Sequence, residues 1–98
     1  MKQIQPAELK KWMDEHKSFT LIDVREQWEH EAFNIGGIHI PLGEIITRRA
    51  EIEKDKPVVL YCEKGIRSAI VIQRLEPMGF SNLINLEGGM YAWKSKLP

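Results

Sequence analysis

The sequence predicts an α/β domain of three layers, with helices on both faces of a mainly parallel five-stranded sheet. Two observations carry this. Short apolar runs alternate with stretches of helical period along the 98 residues. That alternation suits parallel strands joined by helical crossovers. Gly and Pro punctuate the boundaries between the runs. There are no repeats, no low-complexity segment and no linker long enough to divide the chain, so residues 1–98 read as one domain.

Residues 2–5 read as a short first strand. Pro6 fits the first turn of a helix, where its missing N–H is no loss, and Leu9, Trp12 and Met13 give that helix one apolar face. Residues 19–24 form the second strand, with Leu21, Ile22 and Val24 as bulk. Residues 26–33 read as helical. Gly36 and Gly37 break that helix, and residues 38–40 form a third strand ending at Pro41. A helix is expected over 44–49. Residues 57–61, apolar throughout, read as a buried fourth strand, and a helix begins near Arg67. Pro77 should end or kink it. Residues 83–86 form a fifth strand, and Gly88 and Gly89 precede a last helix carrying Met90, Tyr91 and Trp93. In such a sheet ligands sit beyond the carboxyl ends of the strands.

The 14 basic and 14 acidic residues balance, which points away from nucleic acid and anionic membranes as partners. The first six residues are polar and lack a signal peptide's apolar stretch. No apolar run approaches membrane-spanning length. A single cysteine forms no internal disulfide and suits a reducing cytosol, so a cytoplasmic location is expected.

That cysteine, Cys62, lies where the fourth strand ends, a loop containing Gly65 turns, and a helix begins. A lone buried cysteine is often no more than a small hydrophobe. Its neighbours argue for more. N–H groups at a helix start are unpaired within the helix and favour negative charge, hence thiolate over thiol. Gly65 permits a backbone conformation other residues avoid, and Lys64 and Arg67 bring positive charge. A free cysteine is only about 3% thiolate at neutral pH, so such help matters. Glu63 works against it, and its charge is read as turned to solvent.

Four segments in order resemble the single-domain rhodaneses. Leu21, Ile22, Asp23, Val24, Arg25 and Glu26 match an early LIDVRE motif. Asn34, Ile35, Gly36, Gly37, Ile40, Pro41 and Leu42 resemble the central turn, where many members carry a longer HIPGA-type stretch. Residues 61–68 resemble the active-site loop. Gly79, Phe80, Asn82, Leu83, Leu86, Glu87, Gly88, Gly89, Ala92 and Trp93 match the carboxyl-terminal signature. The resemblance implies a sulfurtransferase. Cys62 would take a sulfane sulfur from a donor such as thiosulfate or a persulfide, hold it as a persulfide, and pass it to a thiophilic acceptor. The loop of Glu63, Lys64, Gly65, Ile66, Arg67 and Ser68 would hold the anionic persulfide through its N–H groups. No metal or organic cofactor is implied. The expected partners are a small-molecule or protein-bound sulfur donor and a thiol acceptor, and the chain is expected to be a monomer or weak homodimer. Lys64 stands where thiosulfate-using relatives often have Lys, and Glu63 replaces the Arg common at the next position.

Two alternatives are a phosphatase or arsenate reductase of the same fold and a non-catalytic binding module. Related phosphatases have five residues between Cys and Arg and a His before the Cys. This chain has four, and Tyr61. Intact Cys62 argues against a degenerate module.

Asp23 offers polar support near the site, but Asp23, Arg25 and Glu29 read more simply as a structural charge network. Arg25 and Glu29 would meet across one turn if that segment is helical. His16, His30 and His39 lack metal-site clustering. Trp12 and Trp93 read as core and Trp28 as the rim of the site. Lys10, Lys11, Arg48 and Arg49 read as solvated faces.

Overall fold

The computed structural model describes residues 1–97. Five strands form one sheet: β1 (Gln3–Ile4), β2 (Thr20–Asp23), β3 (Ile38–His39), β4 (Val58–Tyr61) and β5 (Leu83–Leu86). Their order is β1-β5-β4-β2-β3, and every neighbouring pair is parallel. Among the described residues three α-helices connect strands, α1 (Pro6–Asp14), α2 (Gln27–Ala32) and α3 (Ile66–Leu75), and a fourth, α4 (Gly89–Lys96), follows β5. No helix among the described residues is long and apolar enough to cross a membrane.

Strand β4 is buried at every position because both faces of the sheet are covered. Its side chains alternate between two cores. Val58, Leu60 and Cys62 pack with Val71, Ile72 and Leu75 of α3 and with Ile45 and Ile52. Val59 and Tyr61 pack with Leu9 of α1, Leu86 and Met90, and the half-buried Trp12 and Trp93 lie against them. Both tryptophans thus fill core. Helix α2 buries none of its residues and lies as a lip beside the strand ends.

The helix expected over 44–49 does not form. Single 3-10 turns occupy Leu42–Glu44 and Arg49–Glu51, with irregular turns between them. Ile45, Ile46 and Thr47 are β-branched and stiff in a helix, and Ile45 is wholly buried in the core. Tertiary packing, not helical period, places this segment. Pro77 acts as expected: α3 stops at Leu75 and the chain continues as a 3-10 turn, Glu76–Met78.

The turn from β5 into α4 fits closely against the end of β4. Gly88 and Gly89 both have positive φ, 75° and 56°. A Cβ at Gly89 would stand 2.4 Å from the Cys62 carbonyl oxygen and 2.7 Å from the Glu63 carbonyl carbon. Only a glycine lets the start of α4 approach this far. Gly89→Ala is therefore expected to destabilise the protein by at least about 2 kcal/mol, through backbone strain and displacement of the loop. The melting temperature followed by circular dichroism should fall by on the order of 10 °C. An unchanged melt would show that the two turns do not constrain each other.

Candidate active site

Cys62 directly follows β4 and is 1% exposed. Its sulfur lies inside the turn it begins. The Gly65 N–H donates to Sγ at 3.1 Å, the Ser68 N–H approaches it at 3.4 Å, and Ser68 Oγ lies 3.4 Å away. Gly65 takes φ 89° as the residue before α3, so the chain doubles back and aims these groups at the sulfur. The loop's carbonyls face the other way. Cys62 O accepts from the Met90 N–H at 2.9 Å and Glu63 O from the Tyr91 N–H at 2.8 Å. The unpaired first turn of α4 thereby satisfies the loop, and its amides inside are left for the sulfur.

A concavity of about 300 Å³ opens at the sulfur, lined by Cys62, Glu63, Lys64, Ile66 and Arg67. A second of about 320 Å³ adjoins it through Glu63, lined by Arg25, Trp28, Glu29, Ala32, Phe33 and Lys94. Trp28 is 71% exposed, in keeping with a rim position. The concavity of about 350 Å³ around Lys54, Lys56 and Asn82 lies near the amino ends of β4 and β5, at the opposite end of β4 from Cys62.

The charges pair differently from the expected network. Arg25 does not bond Glu29, because α2 starts only at Gln27 and the one-turn spacing does not apply. Arg25 instead grips Asp23 through Nε and Nη2 at 2.9–3.2 Å, and Nη2 donates to Phe33 O at 2.6 Å. Glu29 binds Arg67 with two bonds of 2.7 and 2.8 Å, tying α2 to the first turn of α3. Much of the Arg67 charge is thus matched. The Glu63 side chain is 37% exposed and its carboxylate lies 3.6 Å from Arg25 Nη1, so it faces solvent on one side and the guanidinium on the other. Lys64 is exposed, sits over the Tyr91 ring at 5.8 Å, and among the described residues joins no ion pair.

His30 Nδ1 meets Asp23 Oδ2 at 2.8 Å, His39 Nε2 meets Arg25 O at 2.7 Å, and the two rings stack at 4.5 Å. Both are structural here. His16 is exposed. Lys10 and Arg48 lie on exposed faces, paired with Asp14 and with Glu44 and Glu51. Sequence reasoning missed Asn85, a buried residue of β5 that bonds both Ser68 and Gly65. An amide in the middle of the apolar run Leu83–Leu86 was the available signal.

Comparison with known proteins shows the family. The rhodanese-like domain family matches residues 5–96. The chain belongs to that family. It is 31% identical over 96 residues to the thiosulfate sulfurtransferase GlpE of Coxiella burnetii, covering 96% of this chain and 90% of that one. The crystal structure of a rhodanese-like domain protein from Staphylococcus aureus superposes with a TM-score of 0.87 at 34% identity, covering 95% of this chain and 91% of that one. A probable adenylyltransferase/sulfurtransferase, MoeZ of Mycobacterium tuberculosis, is 34% identical over 97 residues. The chain spans 96% of its own length but only 25% of that protein.

The buried pair makes a pH prediction. Burial alone would raise the Asp23 carboxyl, but the hydrogen bonds from Arg25 and His30 and the Arg25 charge outweigh it and hold it below the usual carboxylate range. A depressed carboxyl contributes stability above its unfolded value, near about 4, and that contribution is lost as pH falls through the folded value. Asp23→Asn should cost about 3–5 kcal/mol near neutrality, since it strands a buried guanidinium. Urea unfolding at neutral and strongly acidic pH should show the gap to wild type narrowing in acid. A gap that stays constant would show that the Asp23 charge is not what stabilises the pair.

Proposed function

We propose that the protein is a sulfurtransferase that moves a sulfane sulfur through a Cys62 persulfide. The observation that carries this is the sulfur itself, seated at the end of β4 with the Gly65 and Ser68 N–H groups aimed at it. The family names the chemistry, and this geometry suits it. In the first step the Cys62 thiolate attacks the outer sulfur of the donor. With thiosulfate, the donor's S–S bond breaks and sulfite leaves with the electron pair. Cys62 keeps the sulfur as a persulfide anion. In the second step an acceptor such as cyanide or a thiolate attacks the outer sulfur, and the Cys62 thiolate leaves. The charge moves from Sγ to the outer sulfur and back, so donors fixed around the loop serve both states without reorganising. Splitting one transfer into two displacements needs one nucleophile and no metal.

A turn with four residues between Cys62 and Arg67 suits a single sulfur atom better than a tetrahedral oxyanion, and Arg67 is already committed to Glu29. The free thiol fits a reducing cytosol.

Cys62→Ser should abolish transfer from thiosulfate to cyanide while leaving the thermal melt close to wild type. Sulfur transfer by the serine variant would sink the mechanism. Phosphatase turnover that depends on Cys62, with no sulfur transfer, would replace this reading with the phosphatase one.

Lys64 is the loop cation left to meet an anionic donor. Lys64→Ala should lower kcat/KM for thiosulfate roughly fivefold, about 1 kcal/mol for an exposed charge, and less for an uncharged polysulfide donor. Added salt should inhibit the wild type more than the variant. Steady-state kinetics with both donors at two ionic strengths test this. Equal losses with both donors would mean that Lys64 shapes the loop and does not recognise the anion.

A further inference from the structure

Asn85 has no part in the transfer step, yet it is 3% exposed in the middle of β5 and bonded on both sides of its amide. Its Nδ2 donates to the Gly65 carbonyl at 3.1 Å. A carbonyl only accepts, so this contact fixes which way the amide faces. Oδ1 then meets Ser68 Oγ at 2.5 Å. An amide oxygen has no proton, so the Ser68 hydroxyl donates its single proton there. Toward Cys62 Sγ, 3.4 Å away, that hydroxyl presents a lone pair. The chain of bonds in the resting thiol runs from Cys62 S–H to Ser68 Oγ, and from Ser68 O–H to Asn85 Oδ1.

We propose that Asn85 is a positioning residue for Cys62, acting through Ser68. This rests on the reading of Cys62 as the nucleophile. By holding the Ser68 proton, Asn85 gives the thiol proton an acceptor and withholds a third donor from the sulfur anion. When the thiol gives its proton to solvent, the hydroxyl can serve the anion only by turning away from Asn85. Oδ1 would then be left buried without a donor, which costs free energy. Asn85 and the anion thus compete for one proton, and the resting sulfur is kept from indiscriminate alkylation and oxidation.

Other charges face the same sulfur and set the background. Glu63 and Lys64 come from the loop, with Glu63 drawn to Arg25 from the end of β2. Arg67 comes from α3, bound to Glu29 of α2. Asn85 from β5 adds no charge, so its substitution leaves the charges unaltered and removes two bonds, to Ser68 and to the Gly65 carbonyl, which the Ser68→Ala background separates.

The test is the rate of Cys62 alkylation by iodoacetamide against pH. Cys62 is the only thiol, so the signal is unambiguous. With Asn85→Ala the freed hydroxyl turns to the anion, and alkylation at about pH 6 should quicken about threefold. At high pH, where the rate no longer rises with pH, the variant should be equal or slower, because a better-stabilised thiolate is a weaker nucleophile. In a Ser68→Ala background, Asn85→Ala should change neither limb. Asn85→Leu, which fills the same space without an acceptor, should reproduce the effect if the alanine variant fails to fold. The same change in both backgrounds, or slower alkylation at about pH 6, would overturn the proposal. Because alkylation does not require sulfur transfer, a wild type without transferase activity would sink the proposed function and leave this result standing.

Discussion

The site depends on one arrangement of backbone. The turn after β4 points its carbonyls outward to the first turn of α4 and its amides inward to the Cys62 sulfur. Neither half is stable alone. Without Met90 and Tyr91 as donors, the carbonyls of Cys62 and Glu63 would be buried and unpaired. Without the outward carbonyls, the chain could not bring the Gly65 and Ser68 amides onto one atom. The arrangement is possible because β4 and β5 are adjacent and parallel, with Leu60 level with Asn85, so their two exit turns lie side by side. Gly89 supplies the missing Cβ that lets them touch.

Around this backbone core the charges are arranged in matched pairs. Arg25 with Asp23 braces the end of β2, and Arg67 with Glu29 closes α2 against α3. Each guanidinium that stands near the sulfur is answered by a carboxylate, so the permanent positive contribution at the site comes largely from amide dipoles and from Lys64. That division suits the proposed transfer, in which charge travels one atom outward and returns. Fixed amides stabilise the charge at either position, while the exposed lysine acts on whatever approaches from solvent.

Much of this was legible in the sequence. The five strands could be read because buried parallel strands are short apolar runs bounded by Gly and Pro. The Cys62 loop could be read because a strand, a glycine and a helix start follow in order. What could not be read was set by distant partners. The segment around Ile45 has helical spacing but is held by packing against α3 and β4. Glu63 reads as a charge turned to solvent, and that Arg25 stands beside it follows only from β2 lying next to β4. Arg25 and Glu29 are four apart, yet a helix beginning at Gln27 leaves Arg25 outside the periodicity and free to turn back to Asp23. Asn85 left only the faint mark of a polar residue in an apolar strand. Its role appears once the sheet order sets β5 beside β4.

The central claim is that sulfur resides covalently on Cys62 between two displacements. Intact-protein mass spectrometry after incubation with thiosulfate and no acceptor tests it most directly. The account predicts a mass gain of one sulfur atom that disappears on adding cyanide and never forms when Cys62 has first been alkylated. Release of sulfite with no sulfur gained by the protein, or a gain that survives alkylation of Cys62, would contradict it.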